Sequence, residues 1–185
     1  EYFGTALAAG DVDGSGYADL IVGAMYADGE ADDNGAVYVF LDVERRETPW
    51  DGAENADVTL LGNDRNEIDN TTNLGAAGAI LGDVDGDGEV DVAMGGPGEL
   101  GATGERYAGG AHIVRGPLVA GRSVLREVAQ SYYGSHEAMM AGWTVTAVGD
   151  VDADGLADLA VGAPGTTDGS GGVTGGVFFI LGADY

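Results

Sequence analysis

Short apolar runs separated by glycine-rich turns recur along this chain in a fixed order. The first run of each set is small and glycine-containing: Phe3 to Gly10, Leu74 to Gly82 and Ala141 to Gly149. A second run closes on a Gly-Ala-Pro-like corner, as Leu20 to Met25, Val92 to Pro97 and Leu159 to Pro164. A third follows a glycine-rich connection, as Gly35 to Leu41, Gly110 to Arg115 and Gly176 to Leu181. Runs of this length, β-branched and bounded by turns, predict strands. The expected spans are about 3–10, 19–25, 35–41 and 56–62, then 75–82, 90–95, 110–115 and 123–133, then 142–149, 158–163 and 176–182.

Between the first and second run of each set lies the same nine-residue acidic loop. It starts at Asp11, Asp83 and Asp150, so the repeat spacing is 72 and then 67 residues. The first, third, fifth and ninth positions carry Asp11, Asp13, Ser15 and Asp19; Asp83, Asp85, Asp87 and Asp91; and Asp150, Asp152, Asp154 and Asp158. With the backbone carbonyl of the seventh residue (Tyr17, Glu89 or Leu156), these oxygens converge on one centre if the preceding glycine makes a tight turn. An ordinary Asp/Gly turn needs one or two such residues, whereas here every side-chain position offers oxygen in all three copies. Two carboxylates about 4 Å apart repel by roughly 4 kcal/mol at an effective dielectric of 20, so the clusters call for a cation. All-oxygen donors without Cys or His fit calcium best, one ion per loop and three in all, with manganese as the alternative.

Loop, flanks and the following strand recur together, and in this the chain resembles the FG-GAP repeat of integrin α-subunit β-propellers. The FG element is intact as Phe3-Gly4 and weakens to Leu74-Gly75 and Ala141-Gly142; the GAP element is intact at Gly162-Ala163-Pro164. The resemblance implies an all-β partial propeller in one domain spanning residues 1–185, with blades at 1–72, 73–140 and 141–185. A blade has four antiparallel strands and a closed ring has four to eight blades. The third set offers three strands only, so its outer strand is missing and three blades form an open arc. Open blade faces and an unpaired edge are liabilities in water. Further blades, or self-association into a head-to-tail homodimer, are therefore expected to complete the ring.

Composition narrows the setting. The chain has 35 glycines among its 185 residues, no Cys and a net charge of −25. Such acidity argues against nucleic acid or an anionic membrane as partner. No apolar run approaches membrane length and no signal-peptide pattern is present. A mature extracellular or cell-surface domain, stiffened by calcium in place of disulfides, is the expectation. Acidic residues outside the loops, in 28–33, 51–57 and 64–69, supply solubility and name no ligand.

Strand parity puts the acidic loops and the third-to-fourth connections on one face. The opposite face collects the connections at about 25–34, 96–109 and 164–175, with 63–73 and 134–141. The resemblance implies that this second face recognises protein or glycan ligands and a partner subunit, with Tyr26 and Tyr107 the residues to inspect. No catalysis is expected: His112 falls inside a predicted strand, His136 has no nucleophile motif near it, and Asp168 to Gly172 reads as a hairpin. Asn70-Thr71-Thr72 is a possible glycosylation acceptor, and Arg115-Gly116-Pro117 only ends a strand. A purely structural calcium-rigidified repeat is the competing reading.

Overall fold

The structure, a computed structural model, describes residues 2–28, 33–46, 52–62, 72–118 and 120–183. Among these, twelve strands form three sheets. In the first sheet β1 (Ala6–Gly10), β2 (Asp19–Ala24), β3 (Ala36–Phe40) and β4 (Val58–Leu61) lie side by side as an antiparallel meander. The second repeats this with β5 (Ala77–Gly82), β6 (Asp91–Gly96), β7 (Gly110–Val114) and β9 (Ala129–Tyr133). In the third, β10 (Thr144–Gly149), β11 (Asp158–Ala163) and β12 (Gly176–Ile180) stand alone. The chain is thus all-β, its three sheets forming the blades of a partial β-propeller.

The sequence predicts one outer strand at 123–133 in the second blade, and the structure divides it. Residues Gly121–Val124 form β8, which pairs in parallel with β4 of the first sheet. A single helical turn, α1 (Leu125–Val128), then leads into β9. Burial drives the detour: Leu118 and the fully buried Leu125 belong to the core cluster between the first two sheets. Reaching that cluster carries β8 onto the open edge of β4, where the Gly121 amide donates to the Asp57 carbonyl at 2.8 Å.

The predicted inner strands also start too early. Before β1, β5 and β10 the chain makes a tight turn instead, closed by Thr5 N to Tyr2 O (3.2 Å), Ala76 N to Asn73 O (3.2 Å) and Trp143 N to Met140 O (3.3 Å). Each turn holds two left-handed residues: Tyr2, Asn73 or Met140, and then Gly4, Gly75 or Gly142. Only the second of these requires glycine's freedom, because it faces backbone. A Cβ on Gly75 or Gly142 would press on the carbonyl of Ala36 or Gly110 in the preceding blade.

Alternation along the strands sends successive side chains to opposite blade faces, and two cores form between blades, with a smaller cluster of Ala24, Ala27, Ala36 and Leu61 beside them. Val37, Val39, Val92, Met94 and Val114 share the cluster between the first and second blades. Ala93, Ala111, Ile113, Leu159 and Val161 share the cluster between the second and third. The blades approach most closely where glycine meets glycine. A Cβ on Gly23 would collide with the Gly75 carbonyl, and one on Gly95 with that of Gly142. Gly95→Ala is therefore expected to destabilise the fold by more than about 2 kcal/mol, while Gly169→Ala, with open space around it, leaves the thermal midpoint within about 1 °C. Calorimetry on the two variants checks this.

Candidate metal centres

The three acidic loops join β1 to β2, β5 to β6 and β10 to β11, and two of their internal hydrogen bonds recur in all three. The sixth-residue amide donates to the first aspartate's Oδ2: Gly16 to Asp11 (2.8 Å), Gly88 to Asp83 (2.9 Å) and Gly155 to Asp150 (2.9 Å). The seventh-residue amide donates to the fifth side chain: Tyr17 to Ser15 (3.3 Å), Glu89 to Asp87 (2.8 Å) and Leu156 to Asp154 (2.9 Å). Two positions per loop are left-handed, the fourth as well as the sixth: Gly14 and Gly16, Gly86 and Gly88, Ala153 and Gly155. The sequence pattern pointed to the sixth alone, and Ala153 takes a conformation that disfavours a Cβ.

The ninth aspartates have a structural task that sequence reading missed. Asp19, Asp91 and Asp158 are all fully buried. In each, Oδ2 accepts the amide of the loop's second residue, Val12, Val84 or Val151, at 2.7 Å. Oδ1 accepts an amide just beyond the third strand: Asp42 (2.7 Å), Gly116 (2.8 Å) and Gly182 (2.8 Å). One carboxylate thus fastens the loop entrance to the end of the neighbouring strand. Burial pushes the Asp19 and Asp91 carboxyls above the usual range, against the pull of these amide donors and with repulsion from the third-position aspartates adding to it. At Asp83 desolvation acts upward but is outweighed by amides led by Gly86 and Gly88, and the carboxyl lies below the usual range.

The structure brings the first, third and ninth aspartates of each loop together. Ligand oxygens of Asp11, Asp13 and Asp19 lie within 4.8 Å of one another, as do those of Asp83, Asp85 and Asp91 and those of Asp150, Asp152 and Asp158. These groups could hold a metal ion, and one atom tests the fit. Oδ1 of Asp11 is buried without a hydrogen-bond partner, whereas its counterparts on Asp83 and Asp150 accept the amides of Gly86 and Ala153 at 2.6 Å. An orphaned anionic oxygen facing other carboxylates is costly unless a cation meets it.

Two side chains distant in sequence adjust the loops individually. The Ser15 hydroxyl donates to Asp42 Oδ1 at 2.6 Å, so a carboxylate from beyond β3 stands beside the one loop whose fifth position lacks its own. At the second loop Arg115 Nε lies 3.1 Å from Asp85 Oδ2 and neutralises part of its charge. Both contacts place third-strand ends beside the acidic loops, as parity predicts.

On the opposite face the Tyr26 ring stacks edge-on against Tyr2 at 5.1 Å. Tyr107 is left-handed and exposed, with the Arg106 guanidinium 5.9 Å from its ring. The hairpin at 168–172 closes on Asp168, whose carboxylate accepts the Ser170 hydroxyl at 2.7 Å and the Gly172 amide at 2.9 Å, and these donors hold it below the usual range. His112 is fully buried: its Nδ1 meets the Ser131 hydroxyl at 2.9 Å and its Nε2 lies 3.0 Å from Glu99. His136 Nδ1 meets the Glu137 carbonyl at 3.2 Å. Asn70 and Thr71 of the predicted glycosylation triplet, with much of the acidic segments 28–33 and 64–69, fall outside the described residues.

The FG-GAP repeat family matches residues 3–40 and 141–179. Integrin alpha-PS3 of Drosophila melanogaster is 34% identical over 165 residues, covering 89% of this chain. Integrin alpha-5 of Xenopus laevis is 32% identical over 171 residues, again 89% of this chain. The chain spans only 14% of the first of these proteins and 15% of the second.

The two kinds of aspartate separate by mutation. Asp19→Asn turns an amide nitrogen towards a backbone donor and is expected to cost about 1–3 kcal/mol even in chelator; Asp13→Asn relieves repulsion, does not lower stability in chelator, and weakens cation uptake. Thermal unfolding with and without divalent cation distinguishes them. The pH dependence has a definite sign. Without a cation, the contribution of the raised Asp19 and Asp91 carboxyls is greatest in acid and is lost as pH rises through their raised values; a cation binds the ionised form and reverses this. The gain in thermal midpoint on adding the cation should therefore shrink between about pH 7 and about pH 4, which calorimetry across that range measures.

Proposed function

From the premise that this chain is an FG-GAP repeat protein resembling the integrin α-subunit propeller, we propose that it is a calcium-stiffened module for extracellular recognition or adhesion. The observation that carries the calcium reading is the threefold cluster of first, third and ninth aspartates with its orphaned Asp11 oxygen. In this reading each loop holds one Ca2+ through those three carboxylates, the fifth-position oxygens of Ser15, Asp87 and Asp154, and the carbonyls of Tyr17, Glu89 and Leu156. Flexible all-oxygen cages suit calcium over magnesium, and millimolar extracellular calcium suits modest affinity. The ion supplies positive charge that lets the carboxylates stay together; the chain's own amides keep each loop folded around it.

Recognition falls to the opposite face, where Tyr107 and Arg106 stand out from the second blade. The integrin relatives support a protein or glycan ligand, a cell-surface setting and a non-catalytic role. The ring begun by three blades is completed by further blades or by a second copy. Among the described residues no helix is long and apolar enough to cross a membrane.

Isothermal titration of the chelator-treated chain is expected to show three calcium ions bound per chain, and saturation at 100 times the dissociation constant adds about 2.7 kcal/mol of stability per site. Binding to immobilised extracellular proteins and glycans, lost in chelator and weakened in Tyr107→Ala with calcium uptake intact, is the expected sign of recognition. Calcium uptake with no ligand on any surface would leave the structural role alone.

A further inference from the structure

Comparing the three blades isolates one exchange of charge. The fifth position of the acidic loop is Ser15 in the first blade, and Asp87 or Asp154 in the other two. Across the fold, the residue whose amide donates to the ninth aspartate's Oδ1 is Asp42 in the first blade, and Gly116 or Gly182 in the others. The first blade therefore lacks a carboxylate inside its loop and gains one just beyond β3. The two changes meet: the Ser15 hydroxyl donates to Asp42 Oδ1 at 2.6 Å.

The ordinary reason for an aspartate at this place does not apply. Asp42 precedes the helical turn Val43–Arg45, where such a side chain accepts one of the turn's amides, yet it makes no capping hydrogen bond. It holds a left-handed conformation, with a φ of 50°, which glycine would adopt at least cost. Its place is fixed by contacts to the loop on either side of it. Its own amide donates to Asp19 Oδ1 at 2.7 Å, the Val43 amide donates to the Ala18 carbonyl at 2.9 Å, and the Arg45 guanidinium lies 4.7 Å from the centre of the Tyr17 ring.

A hydroxyl has one proton and two lone pairs. At Ser15 the proton goes to Asp42 and one lone pair receives the Tyr17 amide at 3.3 Å, which leaves one lone pair. Asp87 and Asp154 receive the same amide on Oδ1 and keep Oδ2. We propose that Asp42 is the fourth carboxylate of the first cation centre, acting through Ser15: it draws the hydroxyl proton away, leaves the remaining lone pair to the cation, and supplies the negative charge that Asp87 and Asp154 supply from within their own loops. Asp42 is thus a positioning residue of the centre, and partners of this kind contribute about 10- to 100-fold in metal affinity. The proposal rests on the calcium reading of the loops and deepens it at one of them.

Terbium luminescence of the whole chain reads the first centre by itself. Terbium(III), a hard cation that takes oxygen ligands, emits when excited through an aromatic ring beside it, and the seventh loop position is Tyr17 in the first loop against Glu89 and Leu156 in the others. The emission that Tyr17→Leu removes belongs to that loop, and calcium added in competition gives its affinity. Asp42→Gly, which suits the left-handed position, is expected to raise the calcium midpoint of this loop about 10- to 100-fold, with the other two ions unchanged in calorimetric titration. Ser15→Asp in the Asp42→Gly chain rebuilds the arrangement of the other blades and should recover most of the loss, which a merely structural role for Asp42 would not permit. Asp42→Asn keeps the acceptor and removes the charge, and it takes the place of Asp42→Gly if that variant alters the far-ultraviolet circular dichroism in chelator. An unchanged midpoint in the folded variant, or no recovery with Ser15→Asp, overturns this proposal alone. A wild type that takes up neither terbium nor calcium overturns the calcium reading and the proposal with it.

Discussion

A buried aspartate carboxylate shared between two backbone amides is the interaction on which each blade depends. Its two acceptor oxygens fix the entrance of the acidic loop and the exit of the third strand at one point, three times over. Without that point the inner strands would still pair, but the loop would not hold its other carboxylates within reach of one another. Scaffold and site are therefore not separable here. The residue that completes the aspartate cluster is also the one that holds the blade's edge in register.

Charge is managed locally as well as globally. A chain of net charge −25 gathers its most repulsive groups into three small loops, and each loop meets the problem differently. The second has Arg115 against Asp85. The first substitutes a hydroxyl at Ser15 and brings in Asp42. The third has neither device and folds its turn through Ala153 in a left-handed conformation. Three loops of one pattern are thus three different electrostatic environments, and equal affinities are not implied by equal spacing.

Much of this was legible in the sequence. The acidic positions and the second and third strands of each blade follow from spacing and apolar patterning, because those features are local. What escaped was set by contacts across the fold. The entry turns at Phe3-Gly4 and its counterparts read as strand because a glycine's left-handed φ leaves no mark on hydropathy. The detour through β8 and α1 was hidden because the burial of Leu118 and Leu125 is decided by the neighbouring blade. Asp42 and Arg115 lie 23 and 24 residues beyond the ninth aspartates of their loops, too far for a pattern to join them. The clamping role of Asp19, Asp91 and Asp158 needed the backbone amides to be placed first.

The detour also divides the molecule dynamically. Because β8 leaves the second blade to lie along β4, the first two blades cannot separate without breaking a parallel ladder in addition to the core between them. The third blade is joined to the second by an apolar junction, the Gly109–Ala141 bridge and the amides of Ala157 and Ala183, which donate to the carbonyls of Asp83 and Val84. Among the described residues it exchanges no strand with its neighbour. Local opening therefore has a built-in direction. The third blade is the first cooperative unit to detach, and amides of β11 and β12 exchange before those of β2 and β3.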